Sequence, residues 1–372
     1  MHVSRLADSR AGWPTSSAIG FGSCVDRRKW NDVAGEGSGV NRAQLPSGIA
    51  TGIGSLPHRD AAAAAAFSLA TLELPAIPTL PKRSPAEGMI PQGLVGLAGI
   101  TVGQYGSIAF DASSFDPDAP VVTDLNHDAF GGWRAFLAAA AGRRAPVKWQ
   151  FVGPVTLGLA LVRAGLRSDV AFEVSVRAVR CRVRQLVDHV AEALPGCRQV
   201  VFIDEPTLDE MMGSRFPIAP DTAVDLVSAA LAAIEPVAVT GLHVCATADI
   251  ASLVAIGPDV LSVPVDSRLL ESAGYLARFI GDGGTIAWGA VSTEGPIATS
   301  AERPWRKLSD LWCELVQRGA DPAQLRRQSI ITPECGLGTH TPAVAERVHR
   351  LAADISERVR DQAMATRFSL GA

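Results

Sequence analysis

From residue 46 onward, short apolar runs alternate with longer segments in which apolar residues recur every three to four positions. The short runs have the length and composition of buried strands, and most are followed by a helical pattern. Eight such runs occur: Ile49–Ile53, Ala76–Leu80, Val147–Val152, Gln199–Ile203, Val237–Val244, Val260–Val263, Thr285–Trp288 and Ser329–Ile331. Strands that alternate with helices favour an α/β fold with a parallel sheet. Eight strands predict a closed (β/α)8 TIM barrel over residues 46–372.

Helix starts are indicated by residues whose side chains can accept a hydrogen bond from the first helical turn. The expected caps are Asp60 before Ala61–Leu74, Asp169 before the amphipathic helix that follows it, Asp249 before Ile250–Ile256, and Thr341 before a final helix with Pro342 at its first position. These starts reinforce the alternation of strand and helix.

Two segments depart from the alternation. Residues 1–45 are rich in Gly, Ser, Arg and Asp without sustained periodicity, which predicts a disordered extension outside the barrel. The segment Gly103–Asp124 contains VGQYGSIAFD, which predicts a small β-hairpin inserted in a barrel loop. A doubly wound open sheet is the competing architecture, but no Gly-rich dinucleotide fingerprint favours it.

Composition narrows the functional class. The 372 residues are 47% hydrophobic and carry a net charge of −4, with no block of Lys and Arg, so a nucleic-acid partner is not expected. No apolar run is long enough to cross a bilayer and no continuous apolar segment resembles a signal peptide, so a cytoplasmic protein without a membrane partner is expected. The six cysteines are then expected to be free, buried or metal-bound.

The ends of the predicted strands carry the candidate chemistry, because the active site of a TIM barrel lies at the carboxyl ends of its strands. Three soft metal ligands occur there: His243 and Cys245 after the fifth strand, and Cys335 after the eighth. In extended chain, residues two apart face the same side, so His243 and Cys245 can face one ion. Thiolate and imidazole ligands suit Zn²⁺. Spacing alone leaves open that each cysteine is simply a buried apolar residue.

Five motifs, in order, resemble the C-terminal catalytic barrel of cobalamin-independent methionine synthase, within the superfamily that also holds uroporphyrinogen decarboxylase-like barrels. They are TGIGSLPH at Thr51–His58, VGPVTL at Val152–Leu157, FIDEP at Phe202–Pro206, HVC at His243–Cys245 and TPECGLG at Thr332–Gly338. The motifs span nearly all of residues 46–372. This length matches the single-barrel, archaeal-type form rather than the two-barrel enzyme.

The resemblance implies zinc-dependent S-methyl transfer to a thiol such as homocysteine, giving methionine, with His243, Cys245 and Cys335 as zinc ligands. It further implies that the substrate amino acid contacts a loop and two carboxylates. The loop residues are Ile53, Gly54 and Ser55, and the carboxylates are Asp204 and Glu87, of which Glu87 matches less well. The alternatives for the carboxylates are a rim salt bridge at Asp204 and a solvated loop charge at Glu87.

The chain departs from the family at three positions. Pro264 stands near the expected fourth zinc ligand, a glutamate, which leaves Asp266 as the substitute. Glu294 stands near the position at which the family carries a histidine thought to donate a proton. A carboxylic acid with a raised pKa can take that catalytic role. Ala160 replaces a tryptophan that stacks on the pterin, which favours a methylcorrinoid protein over a methylated folate as donor.

Two other functions remain open at this stage. One is a uroporphyrinogen decarboxylase-like enzyme, which would bind an anionic substrate through Arg59, Lys82 and Arg83. The other is a non-catalytic barrel that is an accessory to a methyl-carrier protein. His58 and His340 each follow a site motif, so either residue can line the pocket.

Overall fold

The computed structural model describes residues 45–103 and 106–369, with side chains as far as Gln362. All of the predicted N-terminal extension except Leu45 lies outside the described residues, so that expectation stays a prediction. The strands are β1 Ile49–Ala50, β2 Ile100–Val102, β3 Ile108–Phe110, β4 Val147–Val152, β5 Gln199–Asp204, β6 Val239–His243, β7 Val260–Pro264, β8 Thr285–Val291 and β9 Ser329–Pro333. The helices are α1 Ala61–Thr71, α2 Met89–Leu94, α3 Gly131–Ala139, α4 Pro154–Arg163, α5 Ser168–Ala193, α6 Pro220–Leu231, α7 Ile250–Ala255, α8 Ala273–Gly281, α9 Glu302–Gln317, α10 Pro322–Arg327 and α11 Pro342–Ser369.

Seven strands form one parallel sheet in the order β1-β9-β8-β7-β6-β5-β4. From β4 to β9 each strand pairs with the next along the chain, and β1 pairs with β9. Such winding in one direction curls the sheet, as in a TIM-like barrel. A doubly wound sheet would instead reverse its strand order at a switch point. The α/β class is confirmed. No described helix has the length and apolarity that a bilayer span needs.

The prediction of a closed eight-stranded barrel is wrong at its second strand. The segment Ala76–Leu80 forms no regular strand and makes isolated parallel bridges, from Thr79 to Ser55 and from Ala76 to Lys148. Proline is the physical reason, because Pro75, Pro78 and Pro81 punctuate this segment and proline has no N–H to donate to a ladder. The segment still hydrogen-bonds toward β1 on one side and β4 on the other, with the Ile77 N–H donating to the Lys148 carbonyl at 2.8 Å.

The inserted hairpin is confirmed, because β2 and β3 pair antiparallel with Ile100 opposite Phe110. Three predicted helix caps are also confirmed: Asp60 accepts from the Ala63 N–H at 2.6 Å, Asp249 from Ser252 at 2.9 Å, and Thr341 from Val344 at 3.4 Å. Asp169 is not a cap, because α5 begins one residue earlier, at Ser168. Asp169 lies in the first turn, where its negative charge faces the helix dipole and pairs with Arg167 at 2.6 Å.

The inner face of the curled sheet is apolar at one level and polar above it. Its apolar level is a small separate cluster: Ile49, Leu74, Val200, Phe202, Val260, Ala287 and Ile330. Because alternate residues of a strand share a face, Asp204 lies two positions beyond Phe202 on the same face of β5. The register pairs Asp204 with His243 of β6, and His243 with Ser262 of β7. The fold therefore gathers polar side chains at the carboxyl edge, above an apolar floor.

Candidate active site

His243, Cys245 and Cys335 come together at the carboxyl edge. His243 ends β6 and is buried, while the two cysteines are half-buried in the turns that follow β6 and β9. Cys335 lies within interaction range of both Cys245 and His243. His243 and Cys245 are near neighbours in the chain, but Cys335 follows a different strand. The meeting of all three depends on the sheet placing β6 and β9 around one interior.

The pKa values of the two thiols are shifted in opposite directions. Hydrogen bonds from Cys245 and then His243 stabilise the Cys335 thiolate and lower the pKa of Cys335 to about 4. The hydrogen bond to Cys335, together with burial, raises the pKa of Cys245, because a second thiolate would face the first. A pair that shares one negative charge needs a cation before both sulfurs can be ionised.

The donor set of two thiols and one imidazole fits zinc, and the fourth position is then free for a substrate. Among the described residues, no group of three or more His, Cys, Asp and Glu side chains is already spaced as a metal centre. The three side chains therefore have the chemistry of a zinc site, while their spacing in the described residues is not that of a metal centre.

His243 is oriented from behind by a neighbouring strand. Its Nδ1 lies 2.9 Å from the Ser262 hydroxyl, on β7. A hydrogen bond to one ring nitrogen sets the orientation of the ring and leaves the other nitrogen for a ligand or proton. Ser262 was not predicted as a site residue, although a serine within the apolar run VLSVPV was the available signal.

Asp204 ends β5 beside His243, with 7% of its surface exposed. Its Oδ1 is buried without a hydrogen-bond partner. Burial raises the pKa of Asp204 to about 6, although the charges of His243 and Lys148 oppose the rise. A buried carboxylate oxygen with no partner costs free energy, so a cationic group of a ligand would be stabilised there.

Glu205 is fully buried beside Asp204, but its carboxylate is satisfied. It accepts hydrogen bonds from the Val155 N–H and Thr156 N–H, both at 2.8 Å, and from the Thr156 hydroxyl at 2.6 Å. Glu205 thus caps the first turn of α4 from another strand. Gly153 permits this approach, because a Cβ there would overlap the Glu205 carboxylate. The hydrogen bonds of Glu205 thus link the motif DEP to the motif GPVT.

The loop Ile53–Ser55 follows β1 and lies against the Cys335 turn. The Ser55 hydroxyl accepts from the Gly338 N–H at 3.3 Å, and the Ser55 carbonyl accepts from Leu337 at 2.9 Å. Gly54 has φ +140°, a conformation that favours glycine. The structure thus places this loop, assigned to the substrate by resemblance, against the turn that carries a candidate zinc ligand.

Glu87 is buried, with its carboxylate engaged by the protein. It pairs with the Arg83 Nε at 2.6 Å and accepts from the Leu80 N–H at 2.9 Å and the Gly132 N–H at 3.2 Å. Burial raises the pKa of Glu87, and Arg83 opposes that rise. These contacts hold the proline-rich segment to the start of α3. A substrate role for Glu87 stays a prediction that competes with these bonds.

Asp266 and Glu294 lie on the outer rim. Asp266 accepts from the Arg268 N–H at 2.8 Å and forms an ion pair with the Arg268 guanidinium at 3.0 Å. These hydrogen bonds lower the pKa of Asp266 to about 2. Glu294 is exposed in the loop after β8. The structure does not bring either carboxylate to the His243, Cys245 and Cys335 cluster, so their roles as ligand and proton donor stay predictions.

The two histidines that follow site motifs differ in position. His340 lines an open cavity of about 410 Å³, together with Pro57, Arg59, Lys82, Thr341 and Pro342. His58 packs on the Phe67 ring, with centroids 4.9 Å apart, and Phe67 packs at the same distance on His349 of α11. His340 therefore lines this cavity, while His58 belongs to a ring stack beside the β1 loop.

Sequence reasoning also missed two polar residues inside the curled sheet. Lys148 and Gln150 occupy alternate positions of β4 and are 1% and 8% exposed. Polar residues at every second position of an otherwise apolar strand were the available signal, because they indicate a polar patch on one buried face.

No family model matches the sequence, and no curated protein matches it. A solved structure that is similar in fold is a protein from Listeria monocytogenes, assigned provisionally as a vitamin-B12 independent methionine synthase. The identity is 13% and the TM-score 0.51, over 85% of this chain and 99% of that chain. The catalytic domain of the major endoglucanase from Xanthomonas campestris pv. campestris matches at a TM-score of 0.23 and 12% identity, over 58% of this chain and 85% of that chain. A TM-score this low does not indicate a shared fold. The first match shows a shared fold, that of a TIM-like barrel.

Proposed function

We propose that the protein is a zinc-dependent methyltransferase that acts on a thiol, with homocysteine as the acceptor and methionine as the product. The observation that carries the proposal is the meeting of His243, Cys245 and Cys335 at the carboxyl edge of the sheet. The TIM-like fold and the buried, unpartnered Oδ1 of Asp204 add support.

In this proposal His243, Cys245 and Cys335 would hold a zinc ion, and the ion would lower the pKa of a bound thiol so that its sulfur is a nucleophile at neutral pH. Ser262 orients the imidazole of His243 through its 2.9 Å contact. Asp204 binds the ammonium group of the amino acid, where its unpartnered oxygen gains a charge-assisted hydrogen bond. Ser55, in the loop that follows β1, would contact the substrate amino acid.

The methyl donor is proposed to be a methylcorrinoid protein rather than a methylated folate. Ala160 is buried within α4, where the resembling family carries a stacking tryptophan. Stacking on an indole is a large part of how a flat pterin ring gains affinity, and a methyl side chain offers none of it.

A uroporphyrinogen decarboxylase-like enzyme would bind its anionic substrate through three basic residues, and two of these already bind other groups of the protein. Arg83 binds Glu87 and Asp128, and the Lys82 ammonium binds the carbonyls of Thr339 and His340. Anionic substrate binding would have to compete with these contacts, so the structure adds no support for that alternative.

The test is an equilibrium zinc titration of the reduced protein and two cysteine variants. Cys335→Ser removes a soft ligand with little change in volume, so zinc affinity is expected to fall by about a hundredfold or more. Cys313→Ser is the matched control, because Cys313 is exposed on α9. Equal zinc affinity of the Cys335→Ser variant and wild type would overturn the proposal.

A further inference from the structure

Lys148 is a buried cation whose role the proposed chemistry does not explain. Its ammonium donates to the Ile53 carbonyl, lies 3.4 Å from the Gln150 Oε1, and sits 4.8 Å from the centre of the Phe202 ring. Among the described residues no carboxylate lies within 4 Å of it; the opposite charge that acts on it is that of Asp204. A buried lysine without a close ion pair is costly, so its contacts need a reason.

The Ile53 carbonyl belongs to the loop assigned to the substrate. Gln150 supports the same loop, because Gly54 packs directly on the Gln150 amide and a Cβ at Gly54 would overlap it. Two alternate residues of β4 therefore hold the loop from below. The Cys335 turn holds it from the side, through the Ser55 contact with Gly338.

The other wall of the same subsite stands on the neighbouring strand. Asp204 ends β5 and pairs in register with Val152 of β4, four residues beyond Lys148. The loop and Asp204 have no direct hydrogen bond to each other in the described residues. Lys148 interacts with both, by a hydrogen bond to Ile53 and by charge with Asp204.

We propose that Lys148 is a positioning residue of the amino-acid subsite, whose ammonium holds the Ile53–Ser55 loop at the height where the loop and Asp204 meet one substrate together. The inference rests on the proposed function for the nature of that substrate. Lys148 does not touch the substrate or the metal. Its removal lets the loop shift away from β4, which weakens recognition of the amino-acid part of the substrate and leaves the thiol-binding part intact.

The test compares two thiols on zinc-loaded protein by calorimetric titration. Homocysteine reports the sulfur site and the amino-acid subsite together, whereas 2-mercaptoethanol reports the sulfur site alone. In Lys148→Met, which keeps length and volume without the donor, homocysteine affinity is expected to fall at least about tenfold. Affinity for 2-mercaptoethanol and zinc content are expected to equal those of wild type. Lys148→Arg, which keeps a charged donor, is expected to recover most of the loss.

Each result has one meaning. Equal homocysteine affinity in Lys148→Met and wild type overturns the inference, and so does an equal loss for both thiols, which indicates a merely structural lysine. Lys148→Leu, which also lacks a donor, replaces Lys148→Met if the latter does not fold. If wild type binds zinc but does not distinguish homocysteine from 2-mercaptoethanol, the proposed amino-acid substrate fails, and the inference falls with it for that separate reason.

Discussion

The carboxyl edge of the sheet has two halves that treat their polar groups differently. At the ends of β5 and β6, Asp204, Glu205 and His243 are at most 7% exposed. At the ends of β7 and β8, the Asp266 side chain is 27% exposed beside Arg268, and Glu294 is exposed. Water stabilises the charges of the second half, whereas those of the first half depend on the protein or a ligand.

Two neighbours in the buried half show what this dependence reveals. Glu205 receives three hydrogen bonds from the start of α4, so its charge is matched within the fold. Asp204 has a buried oxygen with no partner, so its charge is unmatched. Sequence adjacency in the motif DEP therefore hides two roles: one carboxylate supports the scaffold and the other is available to a ligand.

The largest expected effect separates the two halves by stability. Glu205→Ala leaves the Val155 and Thr156 N–H groups buried without an acceptor, although the Thr156 hydroxyl keeps its 3.0 Å contact with the Thr207 hydroxyl. The free energy of unfolding is therefore expected to fall by about 4 kcal/mol. Glu294→Ala is the matched control at the exposed rim, where no measurable change is expected. Urea unfolding followed by circular dichroism measures both, and equal stabilities of the two variants would remove the distinction between the halves.

His349, a buried histidine of α11, is expected to make the stability of the protein depend on pH. Burial, and then the charge of His58, lowers the pKa of His349 to about 4, while its Nδ1 contacts the Thr71 hydroxyl at 2.8 Å. In the unfolded chain the imidazole takes up a proton as the pH falls below its ordinary pKa of 6.5, whereas in the folded protein it takes up a proton only near pH 4. Stability is therefore expected to fall by about 3 kcal/mol as pH decreases from 6.5 to 4.

The His349→Gln variant tests the source of this pH dependence. Glutamine does not titrate, so its stability curve is expected to be flatter than that of wild type between pH 6.5 and 4. Urea midpoints at a series of pH values measure the difference. Parallel curves would show that the acid sensitivity arises from other groups.

Asp204 and Asp266 provide the same comparison for binding. Asp204→Asn removes the charge that meets the substrate ammonium, so homocysteine affinity is expected to fall at least about tenfold with unchanged zinc content. Asp266→Asn changes a carboxylate that already binds Arg268, and homocysteine affinity is expected to stay the same. Calorimetry on the zinc-loaded variants measures both, and a larger loss in Asp266→Asn would reverse the assignment of the two halves.

The smallest effect concerns helix starts at the protein surface. Asp60→Ala removes the acceptor for the Ala63 N–H and is expected to cost about 1 kcal/mol of folding free energy. Asp169→Ala removes no cap and is expected to cost clearly less. Thermal unfolding of the two variants measures the order, which an equal loss would contradict.

The strand pattern predicted most of the fold, because six of the eight apolar runs are regular strands of one sheet with nearly the predicted bounds. Ile49–Ile53 shortens to two residues, and Ala76–Leu80 fails as a regular strand because its prolines interrupt the ladder. The apolar residues of that segment are buried, as predicted. The hydrophobic pattern does not show, however, that its prolines lack the N–H groups that a regular strand needs.

The candidate site was predictable where residue type alone limits the chemistry. His243, Cys245 and Cys335 are soft ligands at strand ends, and the structure brings them together. Carboxylates are harder to assign, because Asp204, Glu87 and Asp266 differ only in what surrounds them in the fold. An arginine four residues before Glu87 and another two residues after Asp266 were local signals of ion pairs rather than ligand contacts.

The claim that His243, Cys245 and Cys335 activate a thiol on zinc can be checked by zinc K-edge absorption of the metal-loaded protein. Spectra with and without homocysteine, and with homoserine as the hydroxyl control, compare the ligands of the metal. We expect one zinc bound by the two cysteines and His243, with one further sulfur at about 2.3 Å when homocysteine is added. A spectrum that homocysteine leaves unchanged, or a protein that binds no zinc under reducing conditions, would contradict it.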